Sequence, residues 1–170
     1  MSSQIEIIRA VAHDAIEIAD ILVEAFTVFK EHYTTAAFDA VTPSAELIVE
    51  RLDEGPIWVA VSGGDAILGT VSIVAEPEWL YIRSMAVRPI AQGLGVGAKL
   101  LDAVEVYGVE NGFDRLFLYT TYFSAGAVEF YEKCGFKRGR DTTADEWFGT
   151  PGLAMDKRIG KDVKKNAVGS

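Results

Sequence analysis

Cysteine and histidine are scarce. Cys134 stands alone, and His13 and His32 are the two histidines among 170 residues. A single thiol forms no intramolecular disulfide, so the chain reads as a cytoplasmic protein held by its core. Long apolar runs are missing as well. A membrane span needs about 20 predominantly apolar residues. The longest uncharged stretch, Leu116 to Val128, contains Thr, Ser, Gly and Tyr. Glu6 and Arg9 interrupt the first apolar run, so neither a secretory leader nor a membrane partner is expected. Positive charge is short too, with 16 basic against 25 acidic residues and a net charge of −9. From Lys157 onward the chain holds five of the basic residues and one of the acidic ones, so residues 1–156 carry −13. Such a body repels phosphate backbones, which argues against a nucleic-acid partner and for a cationic one.

What is present suits a single globular domain. Hydrophobic residues make up 49% and charged residues 24%, too apolar for bulk disorder. The length fits one domain, expected over residues 1–160, with 161–170 a polar, flexible tail.

Periodicity orders the elements. Gln4 to Arg9 alternates as a short strand. From His13 to about Tyr33, Ile18, Leu22, Ala25 or Phe26, and Phe29 lie on one helical stripe. A second helix starts at Pro43-Ser44 and runs to about Asp53, with Ser44 as its cap. Ile57–Ser62, Ala66–Ala75 and Trp79–Val87 read as three strands joined by short turns, an antiparallel meander. Leu100, Leu101, Val104 and Tyr107 mark a helix that ends near Asn111-Gly112. Arg115–Thr120 is apolar at successive positions, as in a strand buried on both faces and paired in parallel. Trp79–Val87, the helix and Arg115–Thr120 thus make a strand–helix–strand crossover. Ser124 to Cys134 is a further helix stopped by Gly135. Phe136–Arg140 and Leu153–Ile159 are the last strands.

The glycine segment Gln92-Gly93-Leu94-Gly95-Val96-Gly97-Ala98-Lys99 sits at a strand-to-helix junction. Glycines there let the backbone approach a ligand, and the first helical N–H groups face an anion. Three phosphate motifs compete. A P-loop would need Gly where Ala98 stands and Ser or Thr where Leu100 stands, which leaves no hydroxyl for magnesium. Gly93-Leu94-Gly95-Val96-Gly97-Ala98 satisfies the dinucleotide pattern. However, five residues separate it from the strand, and the following strand ends in Thr120-Thr121 without an acid for a ribose. The third motif takes Gln92, Gly95 and Gly97 as [QR]-x-x-G-x-[GA].

On that third motif, Met85-Ala86-Val87-Arg88-Pro89 through Lys99-Leu100-Leu101 resembles the acyl-CoA-binding core of the GNAT superfamily of N-acetyltransferases. Ser124-x-x-Ala127-x-x-x-Tyr131-Glu132-Lys133-Cys134-Gly135-Phe136 resembles that family's N-x-x-A-x-x-x-Y-E-K-x-G-F helix. The resemblance covers about residues 79–137. It implies an α/β (α+β) fold, with a mixed, mostly antiparallel sheet of six or seven strands and about four flanking helices. It also implies acetyl-CoA as acyl donor, a primary amine as acceptor and a possible homodimer.

Carried over residue by residue, the resemblance implies that Met85, Ala86 and Val87 meet the acetyl and pantetheine groups through main-chain atoms. Gln92, Gly93, Leu94, Gly95, Val96, Gly97 and Ala98 would wrap the pyrophosphate without a metal. Ser124 stands where the family usually has Asn, as helix cap and ligand of the CoA arm. Tyr131 would protonate the leaving thiolate, a role its phenol suits because its pKa lies not far above that of a thiol. No obvious base is present: Tyr81 falls at one family base position and Tyr119 near another, and Glu78 could act through water. The alternative to an enzyme is a non-catalytic acyl-CoA-binding module. The net charge favours a small cationic amine, or a Lys or N-terminal amine of a peptide, with Glu76, Glu78, Asp145 and Glu146 at its entrance.

Overall fold

The computed structural model describes residues 4–64, 66–124, 126–143 and 145–160. The tail expected to be flexible therefore lies outside the described residues. Strand β1 (Ile5–Arg9) leads into helix α1 (Ala15–Thr27), then α2 (Thr35–Val41) and α3 (Ala45–Arg51). The meander follows as β2 (Ile57–Ser62), β3 (Ile67–Ala75) and β4 (Leu80–Val87). Next come α4 (Val96–Glu110), β5 (Arg115–Thr120), α5 (Ala127–Lys133), β6 (Lys137–Asp141) and β7 (Leu153–Arg158). The seven strands form one sheet in the order β1-β2-β3-β4-β5-β7-β6. The β4–β5 pair is parallel, and the other pairs are antiparallel.

Alternation along the central strands divides the core between two faces. Trp58, Ala60, Val71, Ile73, Leu80, Ile82, Leu116 and Leu118 pack under α4, against Val96, Leu100, Leu101 and Val104. Ile57, Val59, Ile67 and Ala86 turn the other way and pack on Ile18, Ile21 and Leu22 of α1 and Ile48 of α3. Strand β2 is buried on both faces along Ile57–Ala60, which accounts for its unbroken apolarity.

Two expectations need correction. The helical stripe from His13 to Tyr33 is broken. Residues Ala12–Asp14 and Lys30–His32 are 3-10 turns, and Phe29 leaves the helical region at φ −109°, ψ 9°. There the Thr27 hydroxyl bonds back to the Val23 carbonyl at 2.6 Å, a local bond that competes with helix continuation. A fifth helix, α2, occupies the stretch that shows little periodicity. It is capped by Thr34, whose Oγ1 accepts from the Ala37 N–H at 3.1 Å, and buries only Ala37 and Val41.

Candidate active site at the splayed strands

Strands β4 and β5 pair at Leu80↔Leu116, Tyr81↔Phe117 and Ile82↔Leu118, and the pairing ends there. Beyond Ile82 the two parallel strands diverge. Strand β5 continues on β7 as far as Thr120↔Leu153, and β4 continues on β3 as far as Val87↔Gly69. The edges facing the gap are therefore left without a neighbour. A bulge accompanies the divergence. Ser84 and Met85 together oppose Val71 alone, between the pairs Ser72↔Arg83 and Thr70↔Ala86. Ser84 takes φ 53°, strained for a non-glycine residue. The Arg51 Nη1 donates to its Oγ at 2.9 Å and holds the bulge from α3.

Past the bulge, the Arg88 N–H donates to the Leu68 carbonyl at 2.8 Å. Successive N–H groups of a strand point to opposite edges, so the Val87 N–H points into the gap. The expected trio Met85, Ala86 and Val87 thus lies on an open strand edge. Met85 lines the cavity directly, whereas the Ala86 side chain is buried against α1. Arg88 itself is a brace. Its Nε donates to the Ile67 carbonyl at 2.8 Å and its Nη1 to Glu24 at 2.7 Å.

Residues Pro89–Ala91 make a 3-10 turn before the glycines. Gly93 (φ 82°) and Gly95 (φ 80°) occupy the left-handed region, with no atom within 4 Å of where a Cβ would stand. That combination is a backbone shaped for glycine beside open space. Gly97 differs, because a Cβ there would meet the Phe130 ring at 2.8 Å. This close approach seats α5 on the start of α4. The N–H of Lys99, donating to the Gly95 carbonyl at 3.1 Å, is the first of α4 to find a main-chain partner. The N–H groups of Val96, Gly97 and Ala98 remain available at the positive end of a 15-residue helix. Gln92 and Leu94 are exposed beside them, while the Val96 side chain is core and only its main chain faces outward.

A cavity of about 600 Å3 occupies the splay and reaches residues of α2 and α3. Met85, Leu118, Ser124, Ala127 and Tyr131 line it, as do Tyr81, Tyr119, Tyr33 and Trp147. Tyr131, on α5, packs edge-on to Phe130 and Phe136 and turns its hydroxyl to the Met85 Sδ at 3.8 Å. Burial, and secondarily Cys134, push the phenol up to about 12, so it is fully protonated at neutral pH. Gly135 (φ 96°) ends the helix and lets the Phe136 N–H reach the Tyr131 carbonyl at 3.0 Å.

Ser124 reaches the cavity, but it does not cap α5. The helix begins at Ala127 behind Gly126, and the Ser124 hydroxyl shares a 2.6 Å hydrogen bond with Thr121. Tyr81 also lines the cavity. Burial raises its pKa, which disfavours the phenolate a base would need. Glu78 is kept away. It lies exposed in the turn before β4, whereas the gap opens beyond Ile82, so Ser84 is roughly 20 Å of extended chain further on. Glu76 shares that turn, and Glu146 is held by both terminal nitrogens of Arg140 at 2.8 Å. Of the four acidic residues expected at the entrance, Asp145 alone lines the cavity. Two arginines that the sequence reading passed over, Arg51 and Arg83, line it too. A charge inside the apolar run Leu80-Tyr81-Ile82-Arg83 was the available signal for one of them.

Among the described residues, no group of three or more His, Cys, Asp or Glu could hold a metal ion, and no helix is long and apolar enough to cross a membrane. The open strand edge, the glycine turn and the free helix N-terminus together fit a long, phosphate-bearing ligand such as acetyl-CoA.

Comparison with known proteins agrees. The acetyltransferase (GNAT) family model matches residues 15–136. The uncharacterized N-acetyltransferase YvbK of Bacillus subtilis is 30% identical over 96 residues, which is 56% of this chain and 61% of that protein. The aligned region thus spans about three-fifths of that relative's length. Among solved structures, the PaiA N-acetyltransferase of Thermoplasma acidophilum in complex with coenzyme A superposes with a TM-score of 0.77 at 17% identity, over 92% of this chain and 99% of that one. An IAA acetyltransferase from Bacillus cereus gives 0.70 at 20% identity, over 92% and 100%. These likenesses establish the fold, and the family model covers most of the sheet together with the glycine turn and α5. The chain belongs to the acetyltransferase (GNAT) family.

Proposed function

We propose that the protein transfers an acetyl group from acetyl-CoA to a primary amine, by direct attack with both substrates bound. The observation that carries this reading is the gap between β4 and β5, with the open Met85–Val87 edge on one side and the Tyr131 hydroxyl 3.8 Å from the Met85 sulfur. In this reading the main-chain edge Met85–Val87 binds the pantetheine arm as an added strand would. The turn Gln92–Ala98 receives the pyrophosphate on main-chain N–H groups, and Ser124 borders the arm. The bound cosubstrate supplies an activated acyl group with a thiolate leaving group.

The chain's own groups do the rest. The Val87 N–H is fixed in place by the β3–β4 ladder and polarises the acyl carbonyl without reorganising. The amine attacks in its neutral form, and its nitrogen forms the new C–N bond as the C–S bond breaks. Tyr131 gives its proton to the departing sulfur. The proton shed by the amine passes to water or to Asp145, and water returns a proton to the Tyr131 phenolate, so protons balance over the turnover. A family member that only senses acyl-CoA would not need a protonated phenol facing a cavity with room for a second molecule.

Titration with acetyl-CoA tests the cofactor half. At 100 times its dissociation constant, acetyl-CoA raises stability by about 2.7 kcal/mol. Gly95→Asp places a carboxylate where the pyrophosphate approaches, at a φ that resists a side chain, and abolishes that gain. A Gly95→Asp protein with the wild-type melting shift would refute the assignment.

A further inference from the structure

The net charge of −9 suggests a cationic acceptor, but the acceptor side of the cavity is built differently. It lies on the α1–α3 face of the sheet. There Arg83, on β4, and Arg51, in the last turn of α3, both line the cavity, with Asp145 as the one carboxylate among its described lining residues. Several cations elsewhere on the protein are paired. Arg88 meets Glu24 and Glu17, Arg115 meets Asp156, Arg138 meets Glu132, Arg140 meets Glu146, and Lys157 meets Glu105. Arg51 has no carboxylate within ion-pair distance among the described residues, and its one hydrogen bond there is to a neutral hydroxyl, Ser84 Oγ.

Arg83 gives one terminal nitrogen to the exposed Glu54, while its buried Nε has no partner among the described residues. The two guanidinium groups also oppose each other. Burial, and then the charge of Arg83, hold Arg51 below the usual arginine range. Glu54, outside the cavity lining, offsets part of that repulsion, and an anion in the cavity would relieve what remains on the half-buried Arg51.

We infer that the acceptor is an amine that also carries a carboxylate, of the amino-acid class, and that Arg51, assisted by Arg83, receives that carboxylate. This rests on the acetyl-transfer reading above and specifies its second substrate. Asp145 supplies the opposite pole, where the ammonium docks before losing its proton. Tyr81, Tyr119, Tyr33 and Trp147 form the wall that remains for the substrate's side chain. Among the described residues no acidic side chain other than Asp145 lines the cavity, so the acidity of the chain serves other ends than acceptor choice.

The experiment measures acetyl transfer from acetyl-CoA to the common amino acids and, in parallel, to their amides, which keep the amine and lose only the carboxylate. For the best acid–amide pair, the acid is expected to show kcat/KM about tenfold or more above the amide, because a site built for an anion rejects the analogue lacking it. Arg51→Gln keeps a hydrogen-bond donor for Ser84 and removes the charge. It is expected to erase the preference by raising KM for the acid, so that acid and amide react alike in the variant. Arg51→Lys should restore part of the preference. Each variant's melting shift with acetyl-CoA checks that the cofactor side is intact. The inference is overturned if amides match acids, if the preference survives Arg51→Gln, or if neither series is acetylated by a protein that binds acetyl-CoA. Failure to bind acetyl-CoA at all would instead overturn the acetyl-transfer reading.

Discussion

Replacing Tyr131 by Phe removes one hydroxyl and keeps the ring that packs on Phe130 and Phe136. The hydroxyl's partner among the described residues is a thioether sulfur at 3.8 Å, a weak contact. Its loss should cost no more than about 1 kcal/mol of stability. The catalytic cost should be larger. A general acid contributes roughly 10²- to 10⁴-fold, or about 3–5 kcal/mol of barrier. The raised pKa sharpens the test. With Tyr131 at about 12, roughly one phenol in a thousand is ionised at pH 9, against about one in eleven at the ordinary value of 10. The protonated form is the active one, so Tyr131 should cause no fall in kcat below about pH 11. The same shift affects stability. The unfolded chain's tyrosine ionises first, so this group leaves stability untouched below about pH 10, and stability is lost as pH rises through 12. The assay is release of free thiol at saturating acetyl-CoA, with the best acceptor, from pH 6 to 10. Tyr131→Phe should retain acetyl-CoA affinity and lose turnover across that range. Near-full activity in the variant would show that Tyr131 is packing. A wild-type alkaline limb near pH 10 that disappears in the variant would refute the buried-phenol argument.

Two further substitutions probe how the cavity is held. Gly97→Ala drives a methyl group to 2.8 Å from the Phe130 ring. It should cost about 1–3 kcal/mol in thermal or denaturant unfolding and weaken acetyl-CoA binding by displacing α5, whereas unchanged stability would mean that the helices adjust freely. Thr34 caps α2 and its hydroxyl also donates to the Phe148 carbonyl at 2.7 Å, tying α2 to the 3-10 turn Trp147–Gly149. Thr34→Ala should destabilise the fold by about 1 kcal/mol and raise acceptor KM with little change in the KM for acetyl-CoA; equal effects on both substrates would contradict an acceptor-side role.

The order of the elements along the chain and the glycine turn were legible because local chemistry dictates them. Apolar, β-branched runs separated by short turns mark the meander, and Gly93 and Gly95 stand where the backbone needs positive φ; the run Leu116–Leu118 suggests a strand covered on both faces, but Phe117 is only half-buried. The acceptor side was legible only in part: Asp145 was expected at its entrance, but the two arginines were not, because the cavity is assembled from distant segments. Arg51 comes from α3, Arg83 from β4, Tyr33 from the approach to α2, and Asp145 and Trp147 from the β6–β7 connection. Nothing in their own neighbourhoods shows that they converge. Glu78 was misplaced for a related reason. Its proximity in sequence to β4 hides the fact that the strand runs away from it toward the gap. Helix α2 escaped notice because seven residues with two buried positions carry almost no period. The bulge at Ser84 has no sequence signature, and it is visible only in the register of β4 against β3.

The central claim is that the gap between β4 and β5 and the turn Gln92–Ala98 are one acetyl-CoA site. A crystal structure of the protein with acetyl-CoA tests it most directly. The account predicts the pantetheine arm running along the Met85–Val87 edge, the pyrophosphate on the N–H groups of Gly93–Ala98, and the sulfur within hydrogen-bonding reach of the Tyr131 hydroxyl. Acetyl-CoA seated anywhere else on the molecule, or a sulfur turned away from Tyr131, would contradict it.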